Sequence, residues 1–183
     1  MNGAPVTDTN GLAATALSLT PAEAYEVLRE LLLEADLRAG AAHAGSDVAA
    51  RIEDDAAFLR EVLRAAGISP ETGPSEASVP VPVSPQRLLS AIITEVPAVS
   101  GPVREALASL EDRETSLDLG SAIDTAAIAI ATSAAIIRPL ITYEREKDGE
   151  TTRFKLDVRG IPDFGAVLRA LLPFLPGGKD GNP

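Results

Sequence analysis

Cysteine is absent from this 183-residue chain, and histidine occurs once, at His43. A chain without cysteine forms no disulfide and offers no thiolate ligand, and one histidine leaves no set of nitrogen ligands for zinc. His43 stands in the small-residue segment AAHAG, where we interpret it as a solvated loop residue. The sequence therefore predicts no metal site and no cofactor.

Basic residues are also scarce, since 16 lysines and arginines stand against 27 acidic residues and the net charge is −11. Such a chain repels phosphate groups, which argues against nucleic acid as a partner. The acidic triplet Glu53, Asp54 and Asp55 points in several directions on a helix. We interpret it as a solvated face and not as a cation site.

A long hydrophobic run is missing as well. The most apolar stretch is GSAIDTAAIAIATSAAIIRPL, residues 120–140, and its charge-free part covers only residues 125–137. A membrane span needs roughly 20 apolar residues, so we predict no span. The amino-terminal 20 residues lack a basic region that would indicate a signal peptide, and we expect a cytoplasmic protein.

The apolar stretch instead predicts a buried helix over residues 121–137. Ser121 and Asp124 have the spacing of a capping box, which gives the single acid in this run a structural role. Alanine and isoleucine then occupy all sides of the helix, a composition typical of a helix enclosed by a protein core.

The chain contains no nucleophile elbow, no glycine-rich phosphate loop and no dinucleotide-binding fingerprint. No serine or threonine has a base at a suggestive spacing. We therefore predict no catalytic residues and a protein that is not an enzyme.

Turn and cap signals divide the chain into five segments. We expect a disordered leader at 1–19, a helical hairpin at 20–67, a proline-rich linker at 68–84, a small α+β domain at 85–175 and a disordered tail at 176–183. Thr20, Pro21 and Glu23 form a helix start, and Gly67 marks a helix end. Ser84 and Asp163 are the expected N-caps of two further helices. The predicted fold class is α+β and mostly helical.

An antiparallel β-hairpin is expected within the small domain. Residues 140–158 alternate in polarity around the turn KDGE, and placing Asp148 and Gly149 at the tip predicts the register. In that register Tyr143 lies opposite Phe154, Ile141 opposite Leu156, and Glu144 opposite Arg153. The apolar face of the hairpin is expected to pack on the helix at 121–137.

Residues 106–172 show a small-residue apolar helix, a strand, a turn with Gly149, a second strand and a final amphipathic helix with a leucine pair. This order resembles the effector-associated constant component domains of bacterial conflict systems, over little more than a third of the chain. The resemblance implies an adaptor that couples a sensor to an effector enzyme through domain association. It carries over no catalytic residues.

Two i, i+4 pairs lie outside the predicted core stripes of the first hairpin: Leu33 with Leu37, and Phe58 with Val62. They must be covered by the other domain, by another copy or by a partner. We therefore expect a non-catalytic interaction or adaptor module that acts through helix-mediated self-association or protein binding. The alternative is a small-molecule-binding domain with an apolar pocket between the 121–137 helix and the β-hairpin.

Overall fold

The computed structural model describes residues 9–38, 48–68, 84–111, 122–148, 151–158 and 162–175. For residues 48, 49, 111, 122–125, 142–148 and 151–157 it describes the backbone alone. The expectations for the linker core at 69–83, the tail at 176–183 and His43 lie outside these ranges, as does the Ser121–Asp124 capping box, because residue 121 and the side chain of Asp124 are not described.

Seven α-helices make up most of the described chain, joined by three short 3₁₀ turns. The helices are α1 (Thr9–Ser18), α2 (Pro21–Arg38), α3 (Val48–Ala65), α4 (Pro85–Glu95), α5 (Ser100–Glu111), α6 (Ala122–Ile137) and α7 (Phe164–Leu171). The 3₁₀ turns are Pro97–Val99, Arg138–Leu140 and Leu172–Phe174. Two strands, β1 (Ile141–Asp148) and β2 (Thr151–Val158), form an antiparallel ribbon.

The predicted start of α2 is confirmed as a capping box. The backbone N–H of Thr20 donates to Glu23 Oε2 at 2.7 Å, and the backbone N–H of Glu23 donates to Thr20 Oγ1 at 3.3 Å. Hydrogen bonds from the Thr20 backbone and then from its side chain stabilise the carboxylate, and they lower the pKa of Glu23 below its ordinary value.

The other described cap signals are confirmed too. Ser84 accepts a hydrogen bond from the backbone N–H of the third residue of α4, and Asp163 does the same at the start of α7. Gly67 has φ of 71° and ends α3. Its N–H donates to Arg64 O, while the N–H of Ile68 donates to Leu63 O, which is the Schellman arrangement. Local chemistry alone determines these helix ends.

The prediction of a disordered leader at 1–19 is wrong for residues 9–18, which form helix α1. Ala13 and Ala16 are buried, and α1 packs closely against α4. The side chain of Gln86 on α4 also donates to the carbonyl of Leu19, just after α1. Alanines bury little area each, so their helical spacing is a weak hydrophobic signal in the sequence, although they allow two helices to approach closely.

The predicted helical hairpin at 20–67 is corrected by the position of α6. Helices α2 and α3 both pack mainly on α6, and contact between α2 and α3 themselves is minor. Helices α2 and α6 are also joined by a hydrogen bond of 2.9 Å, which Thr132 Oγ1 on α6 donates to Leu28 O on α2. Because α6 is apolar on all sides, covering it with two helices buries more surface than pairing those helices with each other.

One core extends across the segments that the sequence suggested as separate modules. The buried side chains form a single cluster with members from α1 through to Phe174, and helices from both sides of the 68–84 segment contribute to it. Helix α4 packs against α1, α2 and α7, and it thereby links the amino-terminal helices to the carboxy-terminal one.

The ribbon register differs from the prediction by two residues. Tyr143 pairs with Leu156 instead of Phe154, Ile141 pairs with Val158, and Glu144 pairs with Lys155. A shift of two residues leaves every side chain on the same face, so the alternating pattern cannot distinguish the two registers. Gly149 can be the second residue of a two-residue loop at 148–149 or the first residue of one at 149–150. The turn signal is therefore ambiguous as well.

The α+β fold class is corrected to a helical fold. Where side chains are described, the core is helical, and the ribbon adds to it only at its base, where Ile141 and Val158 are partly buried. Among the contacts of the ribbon with helices, the most extensive is that of β2 with α3, not the expected one with α6. Among the described helices, none has the length and apolar composition needed to cross a membrane.

Candidate ligand-binding cleft

A cleft of about 650 Å³ opens where α2, α3 and the end of α6 meet. Its floor and sides are aliphatic and come from α2, the end of α4, the turn after it, α6 and the turn after α6. These residues are Ala35, Val96, Ala98, Val99, Ala135, Ile136, Pro139 and Leu140. Ligand sites in proteins typically have volumes of about 300–1,000 Å³ and mostly apolar walls, so this cleft has the dimensions of one.

A chain of four charged side chains forms the polar wall of the cleft. Arg51 on α3 binds Asp36 on α2 with two hydrogen bonds, of 3.0 Å from Nη1 and 2.6 Å from Nη2. The Nε atom of Arg51 lies 3.8 Å from Asp55 Oδ2, and Arg138 Nη2 donates to Asp55 Oδ1 at 3.0 Å. The wall thus joins α2, α3 and the turn after α6.

Asp55 is the most enclosed member of this wall, with a side chain that is 4 % exposed. A buried carboxylate requires compensation for its lost hydration, and two guanidinium groups, of Arg51 and Arg138, supply it. The hydrogen bond from Arg51 to Asp36 is the main cause that raises the pKa of Arg51 above its ordinary value. Arg51 therefore stays charged at physiological pH.

Arg138 also lies over the ring of Phe58, with its guanidinium carbon 4.6 Å from the ring centroid. The ring supports the guanidinium by a cation–π interaction. Asp55 and Phe58 come from successive parts of α3, so this one helix holds Arg138 at the mouth of the cleft. Even so, the Arg138 side chain remains 48 % exposed.

The four predicted interface residues do not share one surface. Leu33 and Leu37 on α2 are exposed by 47 % and 77 %. Val62 on α3 is fully buried, and Phe58 is partly buried against the core and below Arg138. The apolar stripe of α3 is broader than predicted because its helix packs on α6, and Val62 falls within it.

The predicted pocket between the 121–137 helix and the ribbon would be lined by strand side chains that lie outside the described part of the chain, so it stays a prediction. The cleft described above lies at the carboxyl end of α6 and is bordered by the 3₁₀ turn 138–140. Among the described residues, no group of three His, Asp or Glu side chains is arranged to hold a metal ion. Glu53 and Asp54 are exposed as expected, whereas Asp55 lies in the polar wall.

Sequence reasoning missed the polar wall, although one part of it has a signal. Asp55 lies on the same helical stripe as Leu59 and Val62, and Arg51 is one turn before it. An acid on an apolar stripe with a cation four residues away indicates a buried ion pair. The participation of Asp36 and Arg138, 15 and 83 residues distant from their partners, has no local signal.

Comparisons with models of protein families, with curated proteins and with solved structures found no match for this chain.

Proposed function

We propose that this protein is a non-catalytic binding protein whose cleft takes up a small, largely aliphatic molecule. The observation that carries the proposal is the combination of a volume of about 650 Å³ with aliphatic walls and a polar wall confined to one side. Binding of an apolar ligand in an apolar cavity is favourable, because it removes apolar surface of both from water. A single polar side would orient the ligand.

The chemistry of the polar wall supports binding better than catalysis. Guanidinium groups keep their protons at neutral pH, so Arg51 and Arg138 are poor candidates for proton transfer. Asp36 and Asp55 each bind arginine through hydrogen bonds, and these bonds occupy the oxygens that a general base would use.

A neutral fluorescent probe, N-phenyl-1-naphthylamine, tests the proposal. We expect saturable binding to the full chain, because the dye is apolar and fits a cleft of this size. The Ala98→Phe variant should weaken binding at least about 10-fold, since Ala98 is exposed at the cleft wall and a phenyl group there fills the cavity.

The matched control is Ala108→Phe, which adds the same ring at an exposed position of α5 away from the cleft lining. It should bind the probe as the unmodified protein does. Absence of saturable binding, or equal binding by the Ala98 and Ala108 variants, would overturn the assignment of this cleft.

A second candidate function is self-association through α2, favoured by the exposure of Leu33 and Leu37 one turn apart. It retains the adaptor role that the sequence resemblance implies. We expect the full chain to form dimers by light scattering, and a Leu33→Glu, Leu37→Glu variant to be monomeric. Leu17→Glu on α1, which changes another exposed leucine, is the control and should remain dimeric. A monomeric unmodified chain at high concentration rejects this candidate.

A further inference from the structure

Ion pairing accounts for most of the charge around the cleft. Three arginines and two aspartates contribute to the lining. The arginine outside the polar wall, Arg38, is paired on its own helix with Glu34, so the charges balance. The preference for a ligand charge therefore depends on which of these side chains still has a hydrogen-bonding group to offer.

The aspartates are already engaged by arginine. Both oxygens of Asp36 accept hydrogen bonds from Arg51, and the two oxygens of Asp55 face Arg138 and Arg51. A cationic ligand would have to displace a guanidinium to reach either carboxylate. The polar wall is therefore poorly suited to a cation.

The two central arginines differ in what they can still bind. All three nitrogens of Arg51 face carboxylates, and its side chain is only 24 % exposed. Arg138 uses one of its five N–H groups, at Nη2, for Asp55, and among the described residues its other N–H groups have no acceptor. Arg51 thus fixes the wall, whereas Arg138 retains donors for a ligand.

The position of Arg138 matches this role. It is held from below by Asp55 and Phe58, and it is followed at once by Pro139 and Leu140, which belong to the aliphatic lining. A guanidinium that is already oriented loses little freedom when it binds an anion. The lining beside it contains no aromatic residue, which favours an aliphatic body for the ligand.

We infer that the cleft binds an aliphatic carboxylate, with the carboxylate accepting hydrogen bonds from Arg138 and the chain lying on the apolar floor. This inference rests on the proposed function and specifies its ligand class. Asp55 keeps its pairing with Arg51 and Arg138 in the bound state. Recognition therefore needs no rearrangement of the polar wall.

Three ligands with eight carbons each and different head groups test the inference: octanoate, 1-octanol and octylammonium. In calorimetric titrations of the full chain we expect one saturable site, with octanoate binding at least about 10-fold tighter than 1-octanol, because a charge-assisted hydrogen bond is added. Octylammonium should bind most weakly.

Arg138→Gln should lower octanoate affinity about 10-fold and 1-octanol affinity by less than about 2-fold, so that the preference disappears. The matched control is Arg104→Gln, an exposed arginine on α5 outside the cleft, which should keep the preference. If loss of the Asp55 partner unfolds the Gln variant, Arg138→Lys retains a positive charge and should weaken octanoate selectively, because its donors are placed differently.

The outcomes separate the inference from the proposed function. Equal binding of octanoate and 1-octanol by the unmodified chain overturns the carboxylate inference but leaves a binding cleft. A preference that persists in the Arg138 variants assigns the carboxylate to another residue and overturns the role of Arg138. If none of the three ligands and no neutral probe binds, both the inference and the proposed function fail.

Discussion

At the residue scale, the effect of a buried polar side chain on stability depends on whether it has a hydrogen-bond partner. Asp55 is buried but paired with two arginines, and Thr132 is buried but donates to the carbonyl of Leu28. Ser100 and Ser133 are buried with side-chain oxygens that have no hydrogen-bond partner among the described residues. A buried polar side chain therefore stabilises the fold where it is hydrogen-bonded and destabilises it where it is not.

The first prediction concerns Asp55. Asp55→Ala should lower the free energy of unfolding by about 2–3 kcal/mol, because it removes hydrogen bonds and ion pairs with Arg51 and Arg138 and leaves these arginines facing one another. Asp54→Ala, at the exposed neighbouring position, should change stability by less than about 0.5 kcal/mol. Urea unfolding followed by circular dichroism measures both, and equal effects would show that the Asp55 network adds nothing to stability.

The second prediction compares two neighbouring residues of α6. Ser133→Ala should be neutral or raise the free energy of unfolding by about 1 kcal/mol, because it removes an unpaired buried hydroxyl and improves helix propensity. Thr132→Val, which removes a hydroxyl engaged with Leu28, should lower it by about 1 kcal/mol. Thermal and urea unfolding of both variants provide the comparison. Changes of the same sign and size would reject the distinction between the two hydroxyls.

At the scale of elements, local signals determine where a helix begins or ends, but they do not determine which other element it packs against. The Thr20–Glu23 box, the Ser84 and Asp163 caps and the Gly67 exit lie at the ends of helices as predicted. The pairing of α2 and α3 with α6, and the register of β1 with β2, depend on contacts between distant segments. Cap chemistry acts within one turn, so it carries no information about those contacts.

The third prediction tests the ribbon register, and the cysteine-free chain makes the test simple. Thr142→Cys with Asp157→Cys joins directly paired positions and should form a disulfide under mild oxidation. Thr142→Cys with Lys155→Cys corresponds to the register expected from the turn and should crosslink poorly. Directly paired Cα atoms lie about 4.5–5.5 Å apart, within the range of a disulfide, whereas positions displaced by two residues are about 7–8 Å apart. Preferential crosslinking of the second pair would reverse the register.

At the scale of the whole molecule, one core replaces the expected pair of modules. Helix α4 is the centre of this connection, because α1, α2 and α7 all pack on it. The backbone N–H of Asp163 also donates to Glu95 Oε2 at 2.6 Å, which fixes the start of α7 to the end of α4. A common core implies that the described helices unfold together.

The fourth prediction tests whether α1 belongs to that core. Ala16→Leu should lower the free energy of unfolding by about 1–3 kcal/mol, because Ala16 is fully buried in the closely packed core. Ala14→Leu, at an exposed position of the same helix, should change it by less than about 0.5 kcal/mol. Urea unfolding should show one transition in each case. No effect of Ala16→Leu would mean that the segment is not part of the folded core.

The sequence by itself determined the starts of α2, α4 and α7 and the end of α3, and it predicted an apolar helix where the structure has Ala122–Ile137. These features depend on side chains acting on their own backbone, or on the composition of one segment, as at Thr20, Ser84 and Gly67. It also predicted an antiparallel ribbon, but with a register two residues from the observed one.

Only the tertiary structure decided that α2 and α3 both pack on α6, that Ala13 and Ala16 bring α1 into the core, and that Asp36 and Arg138 meet the Arg51–Asp55 pair. Each of these contacts joins segments far apart in the chain, and many arrangements of amphipathic helices satisfy the same local pattern. The arrangement that encloses the uniformly apolar α6 most completely buries the most surface, and the cleft with its charged wall forms at the end of that helix where enclosure stops.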